Sequence, residues 1–300
     1  MATRSRGPAA GFGWLSRGIN VSFQHPKPLF GGALLVMLAA LVPALISTPM
    51  QIFAMYSGTP PHLATIVGIA AISLLLGLLV LPIYAGYLQL IDTAEAGLPA
   101  RARDVIRPFR EGKALRVIGY GIVTGVIYIA VFVLIFAATG TGVVHWYLEA
   151  VSAQINHLPP PTSLPSGFGM TFLLVGLFSI FLLGFYAIGL GQVTLSNRSV
   201  FGAVGDGIVG ALKNVLPLLM LTLGLIIVWI CLAICFLIAV LLVTLLSKVA
   251  GAWLALVLLI PLYIALFLAT FTIMFGVMYH LWRDVCGDDT VAGTAEVMAV

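Results

Sequence analysis

Charge is almost missing from three long stretches of this chain. No Asp, Glu, Lys or Arg occurs from Pro28 to Ile91. Between Val117 and Asn197 there is one, Glu149, and between Asn214 and Trp282 there is one, Lys248. A bilayer core of about 30 Å takes roughly 20 apolar residues per helix, so each stretch is long enough for two passes. Backbone polar groups left unpaired in lipid cost so much that such runs must be helical. The chain therefore reads as an all-α, polytopic membrane protein forming one membrane domain over 1–300. Composition agrees: charged residues are 8% of the chain and apolar ones 61%, against about 25% charged in a soluble domain.

Spans are expected near 29–50, 64–90, 116–139, 168–194, 215–246 and 250–282. The first is expected to be retained as a helix rather than cleaved as a signal peptide. The connections are Gln51–Leu63, with Gly58, Pro60 and Pro61; the charged Asp92–Leu115; a Pro-rich loop near 140–167; the amphipathic Ser196–Asn214; and a tight turn near Ser247-Lys248. The last two spans are longer than a bilayer needs. They must tilt, break at Pro217 or Pro261, or project beyond it. Arg4, Arg6, Arg17, Lys27, Arg101, Arg103, Arg107, Arg110, Lys113, Arg116, Arg198, Lys213 and Arg283 fall on one side and only Lys248 on the other. The positive-inside rule then puts both termini, and a tail from 286 to 300, in the cytoplasm.

The chain also repeats itself. Phe12, Leu15, Ile19 and Phe23 form an apolar stripe, and Phe201, Val204, Ile208 and Leu212 repeat its spacing 189 positions later. Pro28 and Pro217 follow at the same offset. Leu98, Val105 and Phe109 form a weaker middle copy, interrupted by Arg101 and Pro108. The second, fourth and sixth spans end alike: Gly86 and Gln89, Gly189 and Gln192, Gly276 and Tyr279. We read three units, about 10–95, 96–197 and 198–285. Each is an amphipathic interfacial helix followed by a helical hairpin, and the three are related by a pseudo-threefold axis along the membrane normal. Gln89, Gln192 and Tyr279, with the three glycines, are the candidate axial polar layer. Arg17, Lys27, Arg101, Arg103, Arg107 and Arg110 are candidate contacts for anionic lipid, each worth about 1 kcal/mol.

Gly11-Phe-Gly-Trp14-Leu-x-x-Gly18-Ile19 leads to Phe23-x-x-Pro26, and Gly207-Ile208-x-x-Ala211-Leu212-x-Asn214 precedes Pro217. In these motifs the chain resembles a family of uncharacterised bacterial six-helix membrane proteins. That family is similar to the membrane domain fused to some glycerophosphodiester phosphodiesterases. The resemblance spans roughly 10–285 and implies an α-helical inner-membrane protein. It carries over no catalytic residues, and the phosphodiesterase domain has no counterpart here.

Few groups suggest chemistry. His25, His62, His145, His157 and His280 are scattered. His145, Glu149 and His157 share one loop but match no zinc motif. Cys231 and Cys235, one turn apart in a span, read as packing residues. Neither a P-loop nor a dinucleotide fingerprint occurs, and juxtamembrane position accounts for the basic loop at 101–116 without nucleic acid. The spans lack the buried charge that ion-coupled pumps use. The expectation is a non-enzymatic membrane scaffold or accessory protein, without metal or cofactor, that meets membrane lipids and a membrane-protein partner. The alternative is a transporter or channel for a small or amphiphilic substrate along the axis.

Overall fold

A computed structural model describes residues 3–57, 63–155 and 158–287. Every element among the described residues is helical: α1 Ala10–Gln24, α2 Pro26–Ser57, α3 Leu63–Glu95, a 3-10 turn Ala102–Ile106 running into α4 Arg107–Arg110, α5 Ala114–Thr139, α6 Thr141–Ile155, α7 Phe168–Thr194, α8 Val200–Lys213, α9 Val215–Ala250 and α10 Ala252–Cys286. Six of these, α2, α3, α5, α7, α9 and α10, are long and apolar enough to cross a membrane.

Two details depart from the sequence reading, and a third decides between alternatives it left open. α2 runs through Gln51 to Ser57 instead of stopping near residue 50, because nothing in Gln51–Ser57 breaks a helix; Gly58, Pro60, Pro61 and His62 lie outside the described residues. The loop after α5 is half helix, α6, before the Pro-rich stretch begins. Pro217 and Pro261 break neither α9 nor α10. Pro217 falls in the first turn of α9, where the missing N–H has no helical acceptor to lose. The 36 residues of α9 make a rod of about 54 Å at 1.5 Å per residue, so it outruns the hydrocarbon core.

The hairpins are α2–α3, α5–α7 and α9–α10, and α3, α7 and α10 touch one another at the centre. The short helices pack in a shifted order. The 3-10 turn and α4 lie on α2 and α3, α8 lies on α5 and α7, and α1 crosses to α9 and α10. Each therefore covers the hairpin before it in the chain, and α1, with none before it, covers the last. These contacts are backbone-close. A Cβ on Gly86 of α3 would lie 1.8 Å from the Val105 carbonyl oxygen, one on Gly276 of α10 2.8 Å from that of Gly18, and one on Gly11 of α1 2.2 Å from that of Pro217.

Packing is concentrated at this end of the molecule, which we term the base. Trp14, Tyr87, Leu88, Tyr120, Phe185, Leu218 and Tyr279 are almost fully buried there. Among the described residues, none is buried beyond Val36 on α2, before Val80 on α3, beyond Gly224 on α9 or before Thr272 on α10. The glycines follow the same division: a Cβ on Gly68, Gly77, Gly125, Gly169 or Gly176 would meet nothing within 4 Å. Around α5–α7 a second small contact survives at the far end. There the left-handed Gly167 lies against the Thr139 carbonyl and the Thr171 hydroxyl bonds that of Thr139 at 3.1 Å.

Gly86→Ala should lower the thermal unfolding midpoint in detergent by the equivalent of about 1–3 kcal/mol, the usual cost of overpacking. Gly68→Ala, facing open space, should leave the midpoint unchanged or raise it. Equal midpoints would contradict the close approach at Gly86.

Candidate functional site

Of the polar residues expected to form an axial layer, Gln192 and Tyr279 reach different neighbours. Gln192, fully buried, donates from Nε2 to Asp206 Oδ2 on α8 at 3.0 Å. Arg198 Nε holds the same oxygen at 2.9 Å. Tyr279 donates to Asp92 Oδ1 on α3 at 2.9 Å and accepts from Arg283 at 3.3 Å. Arg283 also faces Glu95 at 3.8 Å. The buried Oε1 atoms of Gln89 and Gln192 have no hydrogen-bond partner among the described residues. The three glycines divide as well. Gly86 meets the 3-10 turn and Gly276 meets α1, whereas Gly189 lies under the Tyr120 ring, with the hydroxyl 2.2 Å from its would-be Cβ. These groups tie hairpin to hairpin and hairpin to short helix.

The strongest polar cluster at the base lies where α1 meets α10. Asp284 accepts from Trp14 Nε1 at 2.8 Å and pairs with Arg6 at 3.2 Å and Arg17 at 3.6 Å. Arg6 also donates twice to the Asp284 carbonyl, at 3.0 and 2.8 Å. Asn214, at the foot of α9, accepts from the Arg6 amide at 2.8 Å and donates to the Arg4 carbonyl at 2.9 Å. Lys213 donates to the Thr3 carbonyl at 3.0 Å. Residues Thr3–Arg6 thus form a strap across α8, α9 and α10. Sequence reasoning counted Arg4 and Arg6 only as topology charges and passed over Asp284. Trp14 and Asn214 did stand in the quoted motifs, which was the available signal.

The six basic candidates separate into two groups. Arg17 is engaged by Asp284, and Arg107 by Glu111 at 2.6 Å. Lys113, 2.7 Å from the same carboxylate, and Arg107 together hold Glu111 below its usual range. Lys27, Arg101, Arg103 and Arg110 are exposed and have no ion-pair partner among the described residues. The 3-10 turn brings Arg101 and Arg103 towards Lys27, since Ala102 abuts Gly31 one turn along α2.

The apolar stripes show which face of each short helix packs. α1 buries Gly11, Trp14, Leu15, Gly18 and Val21, and leaves Phe12 46% and Phe23 69% exposed. α8 buries Ala203, Gly207, Gly210 and Ala211, and leaves Phe201 79% and Leu212 60% exposed. The small-residue face seats against the bundle, and large apolar side chains remain uncovered beside it.

At the other end His145, Glu149 and Ser152 line an open groove of about 490 Å³ with Leu148, Leu158 and Pro159. His157 lies outside the described residues. No group of three His, Cys, Asp or Glu suited to a metal occurs among the described residues. Cys231 and Cys235 are exposed on α9, and Cys286 is buried at the base. Comparison of the chain with protein-family models, with curated proteins and with solved structures gives no match.

Asp284→Asn removes the charge shared by Arg6 and Arg17 and should loosen the strap. Trypsin added to purified protein should then cut after Arg6 several-fold faster than in the parent. An unchanged rate would mean that Asp284 does not hold the strap.

Proposed function

We propose that this chain is a non-enzymatic scaffold or accessory protein of a bacterial inner membrane. In this reading the base and both termini face the cytoplasm, and the short helices seat in the headgroup layer, organising lipid or a membrane-protein partner. The observation that carries the reading is the uncovered stripe on α1 and α8, Phe12, Phe23, Phe201 and Leu212, at the end that holds thirteen of the fourteen Lys and Arg. Large apolar side chains beside cations suit the boundary between headgroups and acyl chains. The uncommitted charges of Lys27, Arg101, Arg103 and Arg110 suit anionic headgroups.

The shifted packing supports a pseudo-threefold arrangement, because each hairpin receives one short helix and the first helix closes the ring onto the last hairpin. The likeness to the six-helix bacterial family belongs to this reading, with Trp14 and Asn214 of its motifs engaged at the strap. A transport path along the axis has less support. At the base the space between central helices is taken by Tyr87 against Phe271 and Phe275, with ring centroids 5.1 and 5.3 Å apart. Gly191 seats the Trp282 ring there as well.

Replacing Lys27, Arg103 and Arg110 together by Glu should lower the ratio of phosphatidylglycerol to phosphatidylcholine retained from mixed nanodiscs at least several-fold, at about 1 kcal/mol per contact. An unchanged ratio would remove the headgroup role of these residues. Purification from native membranes in mild detergent tests the scaffold reading: a stoichiometric membrane-protein partner is expected, and repeated recovery of the chain alone would sink it.

A further inference from the structure

Each short helix meets its hairpin along a seam, and the three seams differ in how their cations are used. Along α1, Arg6 and Arg17 pair with Asp284, and Arg283 of α10 faces Glu95 at 3.8 Å. Along α8, Arg198 pairs with Asp206 at 2.9 Å, Arg116 donates to the Asn197 carbonyl at 3.1 Å, and Lys213 donates to the Thr3 carbonyl at 3.0 Å. The third seam joins the 3-10 turn and α4 to α2 and α3. There Arg107 and Lys113 share Glu111. Lys27, Arg101, Arg103 and Arg110 are exposed and pair with no carboxylate among the described residues. One further acid lies in this segment, Asp104, and its Oδ2 accepts from the Arg101 amide at 2.9 Å. Among the described residues, the uncommitted cations of the base are thus gathered at one seam.

Packing holds that segment in place. The Ala102 methyl lies 3.0 Å from where a Cβ on Gly31 would be, one turn beyond Lys27 on α2, so Arg101 and Arg103 flank the foot of α2. The Val105 carbonyl and the Pro108 ring both crowd Gly86 on α3, and Arg110 follows at the end of α4. Large apolar side chains stand among the cations in this segment and are uncovered: Leu98, Ile106 and Phe109 are all exposed. The hairpin beneath, α2 and α3, is of membrane length. The seam therefore presents cations next to bare apolar side chains. A soluble anion would use the cations alone. A phospholipid joins a phosphate to acyl chains and uses both.

We infer that this seam is where the protein holds anionic phospholipid. Lys27, Arg101, Arg103 and Arg110 engage the phosphates, and Leu98, Ile106 and Phe109 meet the acyl chains. The seams of α1 and α8, whose cations are engaged internally, take zwitterionic lipid. The inference rests on the headgroup role proposed above and narrows it from three collars to one. The lipid shell is then lopsided around a base whose three seams pack alike. Charge complementarity selects the occupant, since unpaired cations at the membrane boundary attract anionic headgroups and do not favour neutral ones.

The test uses the full chain in phosphatidylcholine nanodiscs doped with phosphatidylglycerol that carries a photoreactive diazirine on one acyl chain. Adducts are mapped by mass spectrometry, and the same diazirine on phosphatidylcholine serves as the neutral probe. With the anionic probe, labelling at Ile106 and Phe109 should exceed that at Phe12 and Phe201 at least fivefold. The neutral probe should label all four alike. Arg101→Gln, Arg103→Gln and Arg110→Gln together should remove the excess. These side chains are exposed and unpaired, and an unfolding midpoint within a few degrees of the parent confirms that the variant is folded. Equal anionic labelling at the three seams, still above the neutral probe, would overturn the single site and leave the general headgroup role standing. Anionic labelling nowhere above neutral would remove both. The assignment also fails if the glutamines leave the excess unchanged, or if soluble glycerophosphate abolishes it. A carbodiimide cross-link from Lys27 to a polypeptide carboxylate in native membranes would give the seam to a protein instead.

Discussion

Backbone-to-backbone contact between each short helix and the hairpin it covers sets the rest of this structure. At Gly86, Gly207 and Gly276 two backbone segments approach until no Cβ fits. Such contacts gain dispersion energy from many atoms at once, and they do so where the membrane offers no hydrophobic drive for helix to meet helix. With three contacts at one end of the molecule, the base is a close-packed ring. The hairpins need no further packing to hold their places, and beyond the base they have little.

Polar groups at the base follow from the same geometry. Once α1 lies on α10, Trp14 and two arginines converge on Asp284. Once α8 lies on α7, Gln192 reaches Asp206. Tyr279 crosses to Asp92 where α10 flanks α3. Each carboxylate is thus satisfied by a neighbour brought in by packing, and two of them, Asp284 and Asp92, join elements distant in sequence. A partly buried carboxylate deprived of such partners would cost about 1–3 kcal/mol, so the links add specificity to a ring that the glycines make possible.

Much of this was legible in one dimension. The charge-free blocks marked all six long helices, because a bilayer tolerates no other backbone there. The interruption of the middle copy by Pro108 was legible, but not the 3-10 turn running into α4, in whose first turn Pro108 falls. The partner of each short helix was not legible. Chain order suggests the hairpin that follows, and only tertiary contact reveals the one before. The stripe of Phe12, Leu15, Ile19 and Phe23 was visible, but hydrophobicity alone could not tell that of these only Leu15 is buried, on a face shared with Trp14, Val21 and the close-fitting Gly11 and Gly18. Gln89, Gln192 and Tyr279 stood out as polar groups in apolar helices. Their partners Asp92 and Asp206 sit on other elements, and no local spacing records them. α6 was hidden by the prolines that follow it.

The strap and α1 carry a consequence for how the protein is made. Thr3–Arg6 and Trp14 bind Lys213, Asp284 and Val285, the last two close to the opposite end of the described chain. α1 finds part of its seat on α9 and the rest on α10, so that seat is complete only when the last long helix has been made. Four long helices precede α9 and α10, and until those two are made the glycine face of α1 has no seat. Closure of the ring is then the step that converts six inserted helices into a single fold. A nascent chain halted before α9 would remain an open pair of hairpins, recognisable to quality-control machinery by that one unmatched helix.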